Sequence, residues 1–430
     1  MKKAIAAFIL AVIMTVTCFS LTAYMYTVDE NYELNCKNAI VVNTDTGRTV
    51  FEKNADETVS IASLTKIMTA MVVIDNCTDL EAMVETKFST LLTIGNTGLV
   101  TINLVSGEQM KVKDLLYCLL ISSAADASVV LADYIGGSVP AFVEMMNQKA
   151  QELQMTNTHF VNTHGLDAEG HYSTARDMEK LTEYALNNEL FCDIVSRSSY
   201  TADATNKSAA RTVSTTNYLI SENSGFYYKW ADGVKTGYTG DAGRCLISTA
   251  GRDETRYVCV VLGCDAYNNN GAMACMHFSD SIYLFEKAYD NYSLKKACKK
   301  GNDIAAVPVK CLGIDTDAQG VFSEDFTYLL KRGEKPEFDV KLDSELIKKP
   351  VDEGQKLGTC DIIIDGQVLK TVDIVAKEAV TRNYTKIIIA ALIWILAILL
   401  VIALIAVLIA AFRRRRRGRG GRMKRNVRYQ

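Results

Sequence analysis

The longest uninterrupted run of apolar positions lies near the C-terminus, over residues 387–412, which contain no charged side chain. A helix of this length extends about 39 Å, more than the roughly 30 Å of a bilayer's hydrocarbon core. A second apolar run, residues 4–23, follows a basic start, which is typical of a secretory signal peptide. The pattern predicts a signal peptide over residues 1–23 and a transmembrane helix over residues 387–412. An uncleaved N-terminal anchor is the alternative, because residues 21–23 form an imperfect cleavage site.

Between the two apolar runs, the first half of the chain alternates strand and helix patterns. Residues 38–52 favour two strands around a turn at Asp45–Gly47, because both flanks are rich in β-branched residues. Apolar positions at helical spacing dominate residues 111–153, with a break at Ile135–Gly137, and return over residues 174–188. This part therefore predicts a hairpin followed by helices.

The second half predicts strands, one helix and a change of domain. Residues 233–243 are rich in turn formers and lead into two strands at 244–250 and 256–263. Helical spacing covers residues 276–292, and from about residue 299 short β-type stretches alternate with charged turns. At 430 residues the chain is long enough for two domains. We therefore expect a second, smaller all-β domain before the transmembrane helix.

The charge distribution gives the predicted membrane helix an orientation. Ten Lys and Arg side chains follow residue 412, and cationic flanks of membrane helices face the cytoplasm. Residues 413–430 are therefore expected to form a basic cytoplasmic tail, with residues 24–385 outside the cell. The whole chain carries −3 and this tail +10, so the remainder carries −13. Because an acidic exported region binds nucleic acid poorly, we expect no nucleic-acid partner.

The cysteines and histidines suggest neither a disulfide framework nor a metal site. The 12 cysteines contain no CxxC pair, and an odd number remains once Cys18 of the signal peptide is set aside. Most are therefore expected to be free thiols, several of them buried among apolar residues. His164 and His171 do not form an H-E-x-x-H pattern, so we expect structural histidines and no metal.

A serine and a lysine stand out within an apolar helical run. Residues 61–70 read Ile-Ala-Ser-Leu-Thr-Lys-Ile-Met-Thr-Ala, so Ser63 and Lys66 would share one face of a helix. A serine hydroxyl becomes a good nucleophile when a base takes its proton, and a lysine with a lowered pKa can be that base. S-x-x-K alone is weak evidence, because it occurs by chance in chains of this length.

Two further motifs strengthen this interpretation. Lys235-Thr236-Gly237 would offer a cation and a hydroxyl to a carboxylate, and its glycine would let a strand backbone approach a ligand closely. Ser123, which follows an apolar run, would supply a third wall of the same site. S-x-x-K together with K-T-G is the signature of penicillin-binding proteins and class A β-lactamases.

In order and spacing, Ser63, Ser123 and Lys235 resemble the low-molecular-mass penicillin-binding proteins, which are serine-type D-alanyl-D-alanine carboxypeptidases. The resemblance continues over residues 39–57, 163–166, 171–178, 232–250 and 304–375. It implies a catalytic domain over residues 24–297 and a C-terminal β domain over residues 298–381. The implied fold is the α+β penicillin-recognising fold, an antiparallel sheet flanked by helices with a helical subdomain.

The resemblance also implies an acyl-enzyme mechanism without a cofactor. Ser63 would attack the carbonyl between the last two D-alanines of the peptidoglycan stem peptide, and water would hydrolyse the resulting ester. Lys66 would be the base, and Ser123 would pass a proton to the leaving amine. β-Lactams would acylate the same serine. Such an enzyme acts in cell-wall biogenesis and cell shape from the outer face of the membrane.

The remaining residues of the implied site bind substrate. Lys235 and Thr236 would hold its terminal carboxylate, with Gly237 between strand and ligand. The backbone N–H groups of Ser63 and Tyr238 would form the oxyanion hole.

The sequence departs from the family pattern at residue 125. The second motif of the family is serine-any-asparagine, whereas this chain has Ala125 followed by Asp126. The missing amide would contact substrate and orient the lysine, so its loss favours a weakly active wall-binding or morphogenetic protein as one alternative. A β-lactamase-like hydrolase is the other alternative, although no residue is identified as its deacylating glutamate.

Overall fold

The computed structural model describes residues 32–95, 97–267, 272 and 274–420, without the side chains of residues 416–420. The predicted signal peptide and the last ten residues of the predicted tail lie outside these ranges. The chain divides into two compact units, the first ending at Leu294 and the second beginning at Lys295. The cysteines in the described part of the chain all carry free thiols, as predicted.

The first unit contains both strands and helices. Its strands are β1 (Asn38–Asn43), β2 (Thr49–Lys53), β3 (Met83–Glu85), β4 (Gln109–Lys111), β5 (Ser199–Ala202), β6 (Arg211–Ser214), β7 (Ala231–Thr239), β8 (Gly243–Arg252) and β9 (Thr255–Cys264). Its helices are α1 (Thr65–Asn76), α2 (Phe88–Leu92), α3 (Val112–Ile121), α4 (Ala125–Gly136), α5 (Val139–Glu152), α6 (Ala175–Leu186), α7 (Glu189–Val195) and α8 (Met276–Asn291). The predicted α+β class is confirmed.

A five-stranded antiparallel sheet organises this unit, in the order β2-β1-β9-β8-β7. Alternate residues of a strand point to opposite faces. Val258 and Val260 of β9 belong to the main apolar core, which continues into α1, α3, α4 and α5. Cys259 instead contacts Ser281 of α8, which packs on β8 and β9. The sheet therefore has helices on both faces, as the resemblance implies.

Local sequence signals explain where the predicted helices begin and end. The predicted break at Ile135–Gly137 is confirmed, because Gly137 ends α4 with φ +73°. The Ser138 hydroxyl then accepts a hydrogen bond from Ala141 N at 3.3 Å and caps α5. The Thr174 hydroxyl caps α6 in the same way.

The prediction of a turn-rich stretch over residues 233–243 is wrong. Residues 231–239 form strand β7, and the turn occupies only the residues between Thr239 and Gly243. Sequence-based propensity penalises glycine in a strand, but here β8 pairs with β7 along its whole length. Gly237 is needed in this strand for a close approach, described below.

The second unit confirms the predicted all-β domain and apolar helix. Strand β10 (Tyr292–Cys298) crosses the boundary between the units, and the strands that follow are β11 (Asp303–Cys311), β12 (Ile314–Phe322), β13 (Phe326–Lys331), β14 (Glu337–Leu342), β15 (Lys356–Ile364) and β16 (Gln367–Ala376). The main sheet has the order β11-β12-β16-β15-β14, and β10 pairs with β13. Helix α9 (Tyr384–Gly420) follows, and by length and composition its Tyr384–Arg415 part is able to cross a membrane.

Candidate active site

Ser63 lies in a tight turn at the start of α1. The turn is a 3-10 segment, Ala62–Leu64, in which Ala62 has a left-handed φ of 49°. Gly165 lies against it, since a Cβ at residue 165 would be 1.8 Å from Ala62 O. The Thr65 hydroxyl donates to Ala62 O at 2.9 Å and lies 2.8 Å from His171 Nε2. These contacts fix the backbone that presents the Ser63 hydroxyl.

Lys66 lies one turn further along α1 and contacts Ser63, as the i, i+3 spacing predicts. Its Nζ donates to Ser63 Oγ at 2.9 Å and to His164 O at 2.8 Å. The side chain is 1% exposed. Burial, followed by the positive charge of Lys235, holds the pKa of Lys66 well below its ordinary value. A lysine in this environment is well suited to accept a proton.

Ser123 lines the same groove, whereas Ala125 is turned into an apolar cluster. Ser123 lies in the short segment between α3 and α4 and has a left-handed φ of 67°, a conformation that residues other than glycine rarely adopt. Ala125 is 0% exposed and packs with Ile94 and Val129, with Leu99 against the cluster. Residue 125 therefore presents no polar group to the groove, and a longer side chain would have to enter packed space.

Asp126 does not take the place of the missing asparagine. It is buried, and its carboxylate accepts hydrogen bonds from Ile102 N at 3.1 Å and from Leu104 N at 3.0 Å. These bonds hold the segment whose preceding residues, 98–100, form one wall of the groove. Asp126 thus shapes the wall, and its carboxylate is occupied by backbone N–H groups.

Strand β7 supplies the opposite wall and lies against the Ser63 turn. Lys235 is 1% exposed, and its Nζ donates to Thr236 O at 3.0 Å. Burial lowers the pKa of Lys235 to about 7. The Thr236 hydroxyl lies 2.5 Å from that of Thr216. At Gly237, a Cβ would approach Ser63 N to 3.2 Å, so a larger residue would push the strand away from the nucleophile.

The structure brings the sequence-predicted residues together around one groove of about 410 Å³. Six of them line it, namely Ser63, Lys66, Ser123, Thr236, Gly237 and Tyr238. Lys235 is buried beside the groove, next to Thr236. The substrate-binding and nucleophilic residues predicted from separate motifs thus occupy one site.

Several lining residues were not found by sequence reasoning. They include Tyr218 and the polar pair Arg244 and His277. Arg244 lies opposite Tyr238 in the pairing of β7 with β8, and His277 is in the first turn of α8. None of the three belongs to a motif. The β7–β8 pairing brings Arg244 to the groove and the packing of α8 brings His277, while Tyr218, in the 3-10 segment Tyr218–Ile220, stacks on Phe278 of α8.

The two histidines singled out in the sequence have structural contacts. His164 Nδ1 accepts from Leu166 N at 3.2 Å, and His171 Nδ1 accepts from Val161 N at 3.1 Å. Burial lowers the pKa of each to about 4, so both rings are neutral. Within the described ranges, no group of three His, Cys, Asp or Glu side chains is placed to hold a metal ion.

Comparison with known proteins agrees with this geometry. The family described as D-alanyl-D-alanine carboxypeptidase matches residues 25–266, and the C-terminal domain of penicillin-binding protein 5 matches residues 292–382. The D-alanyl-D-alanine carboxypeptidase DacF of Bacillus subtilis is 34% identical over 80% of this chain and 85% of its own length. The D-alanyl-D-alanine carboxypeptidase DacA of Escherichia coli is 29% identical over 82% of this chain and 85% of its own length.

Solved structures confirm the predicted fold. The D-alanyl-D-alanine carboxypeptidase DacD from Francisella tularensis superposes with a TM-score of 0.61 at 23% identity, covering 82% of this chain and 95% of its own. The Streptomyces K15 DD-transpeptidase gives a TM-score of 0.55 at 30% identity, covering 60% of this chain and 98% of its own. Because the family match spans more than half of the chain and includes Ser63, Ser123 and the Lys235–Gly237 motif, the chain belongs to the D-alanyl-D-alanine carboxypeptidases, serine peptidases of the low-molecular-mass penicillin-binding type.

Proposed function

We propose that Ser63, Lys66 and Ser123 carry out the hydrolysis through an acyl-enzyme. The neutral amine of Lys66 takes the proton of the Ser63 hydroxyl, and Oγ bonds to the carbonyl carbon between the last two D-alanines. The C–N bond then breaks, and the proton reaches the leaving amine through the Ser123 hydroxyl. Water next attacks the ester carbonyl and gives a proton to Lys66, which returns it to Ser63 Oγ as the shortened peptide leaves with a new C-terminal carboxylate.

The observation that carries this proposal is the contact between the nucleophile and its base. Lys66 Nζ lies 2.9 Å from Ser63 Oγ, within the distance needed for proton transfer. Burial of Lys66 disfavours its charged form and lowers its pKa, which increases the share of the neutral amine that can act as a base.

The oxyanion hole is assigned to the backbone N–H groups of Ser63 and Tyr238. Its support is the close approach of β7 to the Ser63 turn at Gly237. Removing one oxyanion-hole donor from a serine protease costs about 2.7–4 kcal/mol of transition-state stabilisation.

The peptidoglycan stem peptide is the proposed substrate, and β-lactams are the proposed inhibitors. Thr236 would donate its hydroxyl to the substrate's terminal carboxylate, since it lines the groove. Lys235, buried beside it, would act mainly by lowering the pKa of Lys66. The family match and the named relatives do not favour the β-lactamase alternative.

The apolar C-terminal helix is a possible membrane anchor, and we propose the topology that places the catalytic unit outside the cell. Its support is the arginine cluster that begins at Arg413, directly after the uncharged run. A tethered enzyme of this kind acts on peptidoglycan near the membrane.

A labelled penicillin tests the nucleophile assignment. We expect stoichiometric labelling of the purified protein and release of D-alanine from a pentapeptide, with both lost in Ser63→Ala. Ser60→Ala, three residues away and outside the groove lining, serves as the matched control and should keep both activities. An adduct located by mass spectrometry on Ser123 or elsewhere would overturn the assignment.

A further inference from the structure

Leu312 is an exposed apolar side chain at the tip of the turn between β11 and β12. Strand β11 ends at Cys311 and β12 begins at Ile314, so Leu312 and Gly313 form the tip. Leu312 is 71% exposed, more than the other large apolar side chains of residues 295–382. A single exposed leucine needs no explanation by itself, so its position in the second unit decides what it means.

The turn contacts the start of the apolar helix α9. Asn383 N donates to Gly313 O at 3.0 Å, directly before the helix begins. A Cβ at Gly313 would lie 2.5 Å from Ile387 Cδ1, so the turn and the first turn of α9 are in close contact. Ile387 is the first residue of the uncharged run. Leu312 therefore lies level with the point at which the membrane helix becomes apolar.

The length of the uncharged run places this point in the membrane interface. A helix over residues 387–412 extends about 39 Å, roughly 9 Å more than the hydrocarbon core of a bilayer. Part of the run therefore lies at the level of the headgroups. Tyr384 is 68% exposed just before the run, and tyrosine favours the membrane interface. The turn tip, held against the start of the run, is at the same depth.

Basic side chains lie around the same end of the β domain. Five exposed ones adjoin the turn or the start of α9, namely Lys310, Lys348, Lys349, Arg382 and Lys386. Lys348 and Lys349 are included because they follow Ile347, which pairs in parallel with Val309 of β11. Asp315 lies 3.9 Å from Lys310, but both side chains are mostly exposed, so this pair offsets little of the positive charge. Anionic lipid headgroups attract a cluster of this kind.

We propose that the β11–β12 turn is a second membrane contact, in which Leu312 enters the interface of the bilayer that α9 spans and the basic side chains bind anionic phospholipid headgroups. This inference rests on the proposed topology of α9. One leucine and a few charges do not hold a protein on a membrane by themselves, so α9 supplies attachment and the turn supplies orientation. A helix alone leaves the β domain free to rotate about the helix axis, whereas the second contact fixes which end of the domain meets the membrane.

Single-tryptophan proteins in vesicles test the depth of the turn. Leu312→Trp, combined with Trp230→Phe and Trp394→Phe, places the fluorophore at the tip. Lipid brominated near the top of its acyl chains quenches a tryptophan that it contacts. In full-length protein reconstituted into phosphatidylglycerol vesicles, about half or more of the emission should be quenched.

Val368→Trp in the same background is the matched control. Val368 is 56% exposed and lies at the start of β16, the strand whose other end leads to α9. It should lose less than about a tenth of its emission to the brominated lipid. Similar quenching at Leu312→Trp and Val368→Trp would mean that the β domain has no preferred end toward the membrane, which overturns the inference.

The charge contribution is tested by replacing Lys310, Lys348 and Lys349 together with Gln in the Leu312→Trp protein. Quenching should fall by about twofold in phosphatidylglycerol vesicles and change little in phosphatidylcholine vesicles. The matched control replaces three exposed basic side chains at the end of the sheet where Val368 lies, namely Lys331, Arg332 and Lys335. It should leave the quenching unchanged, and an equal fall in both triple variants would contradict the proposed binding of headgroups.

Trp394 separates this inference from the proposed topology. Trp230→Phe alone leaves Trp394 of α9 as the fluorophore, since the chain has 2 tryptophans. Lipid brominated deeper in its acyl chains should quench Trp394. If Trp394 is quenched and Leu312→Trp is not, α9 spans the membrane but the turn stays in water, and the inference is overturned. If Trp394 is not quenched, the topology itself is wrong and the second contact falls with it.

Discussion

Two buried lysines dominate the electrostatics of the groove at the scale of single residues. Lys66 contacts the nucleophile, and Lys235 is held against β7. Burial lowers both pKa values, and the charge of Lys235 lowers that of Lys66 further. A positively charged neighbour therefore helps to make Lys66 a base, even where it does not touch the substrate.

Replacing Lys235 with Gln removes this positive neighbour. The pKa of Lys66 should then rise, so its neutral fraction falls at any pH below that pKa. The acid limb of kcat/KM should move to higher pH, and the loss of activity should be larger at pH 7 than at pH 10. Rates of D-alanine release across this range measure the effect. Lys229→Gln, an exposed lysine outside the groove lining, is the control, and an equal loss at every pH would contradict the prediction.

Ala125 raises the question of whether restoring the family's asparagine would help. From sequence alone, two outcomes are expected for Ala125→Asn. Either kcat/KM rises by about tenfold, or the new side chain crowds the site and kcat/KM stays level or falls. The structure favours crowding, because Ala125 is fully buried against Ile94 and Val129. Burying an amide there should cost about 1–3 kcal/mol of unfolding free energy, with kcat/KM unchanged or lower.

Thermal melting and peptidase kinetics on Ala125→Asn decide between these outcomes. Ala141→Asn, at an exposed position of α5, controls for the helix propensity of asparagine. A stable Ala125→Asn protein with a tenfold higher kcat/KM would show that the amide reaches Lys66 and that the apolar cluster gives way.

At the scale of secondary-structure elements, the predictable parts of the site are those encoded locally. Ser63 and Lys66 share one helical turn, so their contact follows from spacing alone. The sequence does not predict the strand over residues 231–239, because glycine is disfavoured in strands. Gly237 is required by the close approach of β7 to the Ser63 turn, a contact between distant parts of the chain. Arg244 and His277 could not have been found, since pairing of β7 with β8 and docking of α8 bring them to the groove.

The Ser63 turn depends most directly on its close contact with Gly165. Gly165→Ala would place a methyl group 1.8 Å from Ala62 O at a left-handed φ, so the turn must shift. We expect a loss of about 2 kcal/mol or more in unfolding free energy and slower acylation of Ser63 by penicillin. Urea denaturation and stopped-flow acylation measure the two effects.

Gly240→Ala is the matched substitution, because a Cβ at residue 240 meets nothing within 4 Å and the backbone there has no positive φ. It should behave like wild-type protein in both measurements. Wild-type acylation in Gly165→Ala would mean that the Ser63 turn tolerates displacement, against the packing argument.

At the scale of the whole molecule, the apolar helix α9 lies outside the sequence ranges that carry the family matches. The matches end at residue 382, and α9 begins at Tyr384. The catalytic groove is built entirely from residues of the first unit. Catalysis and attachment are therefore expected to be separable by truncation.

A protein ending at Arg382 should be recovered in the soluble fraction with kcat/KM for D-alanine release within about twofold of the full chain. The reason is that a run of 26 uncharged residues is expected to partition strongly into a bilayer, while no described residue beyond Phe278 lines the groove. High salt should not extract the full chain from membranes, whereas detergent should. A reporter fused after Gln430 should be located in the cytoplasm.

Replacing Arg413–Arg417 with Gln separates anchoring from orientation. The helix should still hold the protein in the membrane, but some molecules should insert with the tail outside. A tail that protease removes from intact wild-type cells would contradict the arginine argument, and a truncated protein that still sediments with membranes would locate the attachment elsewhere in the chain.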